Sequence, residues 1–214
     1  MKPRDYALRE LDSKRLPHWP AGALRKSKPY APPADPRDVA LAEHIVAGVV
    51  KNLLLLQYLT QHYSGRNLKS IDPVVQKILA IALYQLRFLD RVPASAAVDE
   101  AVEQTRRFGQ GRASGFVNAV LRKATRDPSP PLPDRDGPTD YARIVCSHPD
   151  DLVKRLEKLL GPADALRFCE HDQSEPPTIL RLARGWRQLC HSGLVPTGSP
   201  SGTWAGFSAS RRSR

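Results

Sequence analysis

The chain has 214 residues, 41% of them hydrophobic and 26% charged, with a formal net charge of +11. That length holds one medium domain with extensions or two small ones. Three widely spaced cysteines (Cys146, Cys169 and Cys190) argue against a disulfide framework, and the most apolar stretch, residues 45–59, is interrupted by Lys51 and Asn52 and is too short to span a bilayer. The basic excess points to a polyanion partner, nucleic acid before a membrane surface. It is concentrated in residues 1–40 (net +4), 104–127 (net +5) and 181–214 (net +6), whereas residues 128–180 carry a net −4. A polar N-terminus without a signal-peptide pattern, together with unpaired thiols, leads us to expect a cytoplasmic protein with no membrane contact.

In chain order, "PRDYALRELDSK" has the apolar spacing of a short helix with Tyr6, Leu8 and Leu11 on its weak apolar side. Residues 17–37 are dense in proline and read as an extended linker. Asp35 then caps and Pro36 opens a helix whose Val39, Ala42, Ile45, Val46 and Val49 recur at three- and four-residue intervals. "LLLLQYLTQHYSG" continues as a second helix or a bent continuation ending at Gly65. Asp72 and Pro73 start a helix with so wide an apolar face that it belongs at the centre of a core. A further helix runs from near Ser95 to Gly109, "QGRAS" is a short basic loop, and "GFVNAVLRKATR" is the fifth strong helical segment. "DPSPPLPDRDGP" is a second linker. "HPDDLVKRLEKLLG" is amphipathic, with Leu152, Leu156, Leu159 and Leu160 expected on its inner face, and "PADALRFCEHDQ" is another helix. "TILRL" is strand-like, and the acid-free, Gly/Ser/Arg-rich text after Arg184 reads as disordered. No segment alternates with period two over six residues, so the expected architecture is all-α.

Several residues stand out as candidates. Asn118 sits in the apolar stripe of Phe116, Val117, Val120 and Leu121, where an amide either satisfies buried polar groups or reaches a ligand. A structural role is expected, tying a loop to the bundle, because an unpaired buried amide costs about 1–3 kcal/mol. Arg106, Arg107, Arg112, Arg122 and Lys123 flank the turn between two helices. They read equally as phosphate contacts or as solvated cations opposing a helix dipole. Asp99 and Glu100 invite reading as catalytic carboxylates, yet neighbours on a helix point about 100° apart and acids favour a helix start. His148 precedes or caps the helix at Asp150. The Cys190-His191 pair has no further ligands near it, so no metal site is expected.

"IALYQLRFLDRVPASAAVDEAVEQTRRFG" and "GRASGFVNAVLRK", with "DPRDVALAEHIVAGVVKN" before them and "HPDDLVKRLEKLLG" and "EPPTILRL" after, resemble the NusB-like domain and following linker region of bacterial 16S rRNA cytosine-5 methyltransferases. More distantly they resemble the transcription antitermination factor NusB. The resemblance covers about residues 36–183. It implies a NusB-like helical RNA-binding bundle over 36–127, a linker over 128–139 and a small helical linker subdomain over 140–183; composition sets off a basic, proline-rich segment over 1–35 and the disordered tail over 184–214. It also implies that RNA is held mainly by a basic N-terminal segment, the part filled by region, not residue by residue, by Arg4, Arg9, Lys14, Arg15, Arg25, Lys26 and Lys28.

The enzymes of that family bind S-adenosylmethionine through a glycine-rich loop and attack cytosine with cysteines, one of them after a proline. This sequence has no glycine-rich strand-to-helix loop, and Cys146, Cys169 and Cys190 follow Val145, Phe168 and Leu189. The expectation is therefore a binding module, without cofactor or catalytic residues of its own, whose composition shift near residue 183 reflects a truncated or frameshifted coding sequence. Its expected partner is RNA, foremost rRNA. The alternative is an antitermination-type protein-interaction factor that docks a ribosomal or transcription protein, with the leucine run 53–59 as the partner face.

Overall fold

Proline and aspartate set the frame of the bundle. The computed structural model describes residues 1–14, 16, 19, 22–24 and 30–174. Asp35 accepts from the Arg37 N–H at 2.8 Å and opens α2 (Pro36–Lys51), and Asp72 accepts from the Val74 N–H at 2.8 Å and opens α4 (Pro73–Phe88). Each pair places an acceptor at the cap and a residue that needs no N–H partner at the first helical position. Before them α1 spans Pro3–Ser13; between them lies α3 (Leu53–Ser64), closed by Gly65 in the left-handed conformation (φ 65°). After them come α5 (Ala94–Arg107), a 3₁₀ turn (Gly111–Ala113) and α6 (Ser114–Arg126). The described residues contain no strand, as expected for an all-α chain.

The apolar run 45–59 is divided at Asn52, where α2 and α3 meet at a bend of 81°. The Asn52 amide donates to the Gly48 carbonyl at 2.9 Å and so finishes α2 with its own side chain. No single helix among the described residues is long and apolar enough to cross a membrane. α4 is the hub: Val74, Val75, Ile78, Leu79, Ile81, Ala82 and Leu83 are all buried. α2 approaches it closely because position 48 is glycine; a Cβ there would lie 2.0 Å from the Tyr84 ring. Leu53, Leu55, Leu56 and Leu59 are buried in the same core. The leucine run therefore cannot be a partner face: those side chains already pack inside the bundle.

α1 belongs to this core too. Ala7, Leu8 and Leu11 are fully buried among α2 and α4. Asp12 on α1 accepts from Lys77 of α4 and from the backbone N–H groups of Ala23 and Leu24, which fastens the chain after α1 onto the bundle.

Residues 138–174 add a second, smaller core. α7 (Pro138–Asp140) runs into a π-helical turn (Tyr141–Val145), an element that the sequence pattern does not announce; α8 (Asp150–Leu160) and α9 (Pro162–Gln173) follow. Ala142, Cys146, Val153, Leu166 and Cys169 pack together. Of the expected inner face of α8 only Leu156 packs, partly buried, against this core. Val153 is buried, whereas Leu152, Leu159 and Leu160 are exposed, Leu159 by 78%. With so few residues to cover, only the edge of α8 that carries Val153 and Leu156 is needed inside, and the other three leucines turn outward. His148 is buried; Nδ1 is 2.7 Å from the Cys146 carbonyl and Nε2 is 3.2 Å from Asp172, so it joins the π-helical turn to α9. This part meets the bundle where Ser147 Oγ accepts from the Leu54 N–H (2.9 Å) and Gln173 donates to Asn52 (3.3 Å).

The strand-like "TILRL", the tail after Arg184 and the Cys190-His191 pair lie outside the described residues.

Candidate nucleic-acid interface

Twelve basic residues carry the sequence-based expectation of RNA contact, and the structure divides them. Arg15, Arg25, Lys26 and Lys28 lie outside the described residues. Arg4 is half-buried and donates from Nε to Gln85 at 2.6 Å. Arg9 lies with its guanidinium 5.4 Å from the ring centroids of both Tyr30 and Phe108. Its Nε and Nη1 are buried without a hydrogen-bond partner, so the two ring faces are what hold the cation. Lys14 is exposed and lines a hollow between α1 and α2 that also contains Glu10 and Glu43.

Arg107 sits in an ion network that no local pattern reveals. It donates from Nε and Nη2 to the two oxygens of Asp5 at 3.0 and 2.9 Å, and from Nη2 to Glu100 at 2.5 Å, while Lys2 reaches the same Glu100 at 2.9 Å. Burial pushes the Glu100 carboxyl up, but the hydrogen bonds from Lys2 and Arg107 outweigh it and hold the pKa below the ordinary value. Gln104 adds bonds to the Arg4 carbonyl and to Asp5. These contacts clamp α1 to α5, so Glu100 is an ion-pair partner and Arg107 is occupied internally.

The remaining cations lie on the turn and on α6. Arg106 pairs with Glu103 one turn away. The side chains of Arg112, Lys123 and Arg126 are exposed and make no hydrogen bond or ion pair among the described residues; the same holds for that of Arg87 at the end of α4. Arg122 donates from Nε to the Asn118 amide oxygen at 3.1 Å. Asn118 is thus half-exposed and bonded within its own helix, where a tie to a loop was expected. The stripe of Val117, Val120 and Leu121 is buried, and Asn118 lies at its margin.

Three adjoining hollows follow the length of α6. The first holds Asn118, Arg122, Arg106, Ser114, Asp99 and Glu103; the second shares Asp99 and Arg122 with it and adds Ser95 and Arg126. The third shares Ala94 and Thr125 with the second and is apolar, with Tyr63, Leu83 and Leu86 in its walls and Arg87 at its edge. The local pattern does not bring Arg87 and Arg126 together, because nothing local joins the end of α4 to the end of α6. The described residues include no cluster of His, Cys, Asp or Glu able to hold a metal ion.

Comparison with known proteins agrees with this architecture. The model of the NusB family matches residues 1–126. Ribosomal RNA small subunit methyltransferase B of Vibrio cholerae is 35% identical over 147 residues, covering 69% of this chain and 33% of that protein. The protein of the same name from Pseudomonas putida is 34% identical over 152 residues, 70% of this chain and 33% of its own length. A probable ribosomal RNA small subunit methyltransferase B of Bacillus subtilis is 28% identical over 179 residues, 84% of this chain and 40% of its own. The chain spans about a third to two fifths of the length of these relatives. With a family model matched over more than half its residues and a helical bundle to accommodate that match, this chain belongs to the NusB family.

Proposed function

We propose that the chain is an RNA-binding module that recognises ribosomal RNA, engaging it mainly through the cations of the α5–α6 turn and α6. One observation carries this reading: Arg112, Lys123 and Arg126 are exposed and lack a carboxylate partner among the described residues, in a segment of net charge +5. Free guanidinium and ammonium groups on one helix and the turn before it suit phosphate oxygens, and the energy comes largely from counterion release. The names of the relatives direct the reading to small-subunit rRNA. The chain acts here by binding, not by methyl transfer, and needs no cofactor for it. Fluorescence anisotropy with an rRNA fragment across a salt series tests this. Binding with a steep salt slope is expected; no binding at low salt, or binding indifferent to salt, refutes it. Incubation with labelled S-adenosylmethionine and rRNA is expected to give no transfer.

A second reading, a protein-interaction module, draws on the exposed Leu152, Leu159, Leu160 and Phe168 of α8 and α9. Recovery of a ribosomal or transcription protein that survives nuclease treatment, and is lost in the Leu152→Glu/Leu159→Glu variant, favours it.

A further inference from the structure

The geometry points to a seat for one unstacked RNA base in the apolar hollow between α3, α4 and α6, with Arg87 and Arg126 holding the adjoining phosphates. The inference rests on the RNA-binding reading and gives it a recognition site.

The hollow is about 190 Å³, below the roughly 300–1,000 Å³ of sites that enclose whole ligands. It therefore takes one ring rather than a cofactor. Leu59, Tyr63 and Leu83 form its buried walls. The Tyr63 hydroxyl donates to the Asp127 carbonyl at 2.7 Å, which fixes the ring in place. A rigid apolar slot with an aromatic wall suits a splayed base, the usual target of sequence-reading RNA proteins.

The polar groups complete the match. Thr125 lies at the junction with the neighbouring hollow; its hydroxyl proton is committed to the Leu121 carbonyl at 2.9 Å, leaving lone pairs to accept from a base N–H. Arg87 lines the apolar hollow, and Arg122 and Arg126 line its neighbour. Asp99 lines that neighbour and Asp127 acts on the Tyr63 wall, so the three arginines outnumber the two carboxylates along the path. A cation-edged slot favours a base flanked by phosphates over an apolar protein side chain, which has no use for three arginines.

The test uses the full chain and a short fluorescent single-stranded oligoribonucleotide, intact or with abasic positions. Wild type is expected to bind the intact strand about tenfold more tightly than the abasic one, in line with one sheltered base. Ala94→Phe, which fills the mouth of the hollow, is expected to remove that difference while keeping the salt slope; Arg87→Gln and Arg126→Gln each lower the slope by about one. Photocrosslinking of wild type with a 4-thiouridine strand is expected to mark Tyr63 or residues 124–128, and this needs no variant to fold. Equal affinity for intact and abasic strands, an unaffected Ala94→Phe variant, or adducts confined to the Arg112 turn overturn the base seat while the RNA reading stands. Saturable binding of an acid-rich peptide, lost in Ala94→Phe with RNA affinity unchanged, assigns the hollow to protein and also overturns it. Absence of RNA binding by wild type at low salt overturns both.

Discussion

The carboxylate of Asp12 and the ammonium of Lys77 meet at 2.5 Å inside the bundle, with side-chain exposures of only 8% and 1%. The Lys77 ammonium also lies 6.0 Å from the centre of the Trp19 ring. This pair couples α1 to α4, and through Ala23 and Leu24 it holds the chain that follows α1. A buried pair adds little over a well-packed apolar pair, but breaking one is costly because a bare charge remains inside. Lys77→Met is therefore expected to lower unfolding free energy by about 3–5 kcal/mol in urea titration. Adding Asp12→Asn should recover part of that loss; a double variant as unstable as the single would contradict the pairing.

Gly48 and Tyr84 make a second, purely steric prediction. A methyl group at position 48 collides with the Tyr84 ring, so Gly48→Ala must displace that ring or separate α2 from α4. Helix propensity alone would favour alanine by about 1 kcal/mol. Overpacking is expected to dominate and give a net loss of roughly 1–3 kcal/mol, read as a lower Tm. Gly48→Ala combined with Tyr84→Ala should regain helix contact at the expense of a cavity.

The division of the cations predicts two kinds of variant. Arg112→Gln with Lys123→Gln should leave the unfolding free energy within about 0.5 kcal/mol of wild type, since both side chains are exposed and unbonded, and should lower the salt slope of RNA binding by about two. Arg107→Gln should do the reverse. It removes the bonds to Asp5 and Glu100, costing roughly 1–3 kcal/mol of stability, while the salt slope stays near that of wild type.

The titrating groups predict a stability profile with two declines. Burial, with Cys169 and Glu170 adding to it, pushes the Cys146 thiol from 9.0 up to about 11. A raised folded-state value means that its contribution is fully present below pH 9 and is lost as pH rises through about 11. Glu100 works in the opposite sense: its folded-state value is lowered, so its contribution is present above the ordinary glutamate range and is lost as pH falls through the folded-state value. Thermal melts across pH should show both edges. Cys146→Ala should reduce but not abolish the alkaline one, because burial also raises Cys169 and Tyr63, and iodoacetamide should modify Cys146 slowly at neutral pH until the chain unfolds.

Asn118 is expected to contribute little to stability. Because it is half-exposed and bonded only to Arg122, Asn118→Ala should change unfolding free energy by less than about 0.5 kcal/mol. By freeing the Arg122 fork it should also alter RNA affinity. A loss of several kcal/mol in stability would restore the loop-tying role expected from its place in the stripe.

Much of the fold is written in local features. The caps at Asp35 and Asp72, the prolines after them, the stop at Gly65 and the apolar spacing of α2, α4 and α6 identify each helix, since helix ends and amphipathic faces depend on residues three or four apart. The motifs around Ala94–Arg107 and Ser114–Arg126 were enough to suggest the NusB family. The π-helical turn at Tyr141–Val145 was not legible, because five residues are too few to show a period.

Which charges are spent and which are free was settled only in three dimensions. Arg4, Arg9 and Arg107 look as available in sequence as Arg112 and Lys123. Asp5 and Arg107 are 102 positions apart, and only the packing of α1 on α5 brings them together. Likewise α8 carries a plain amphipathic pattern, yet which edge it buries depends on how small a core Ala142, Cys146 and Cys169 leave it to cover. Periodicity records that a helix has two faces; the partners that long-range packing supplies decide which face, and which cation, is left for solvent.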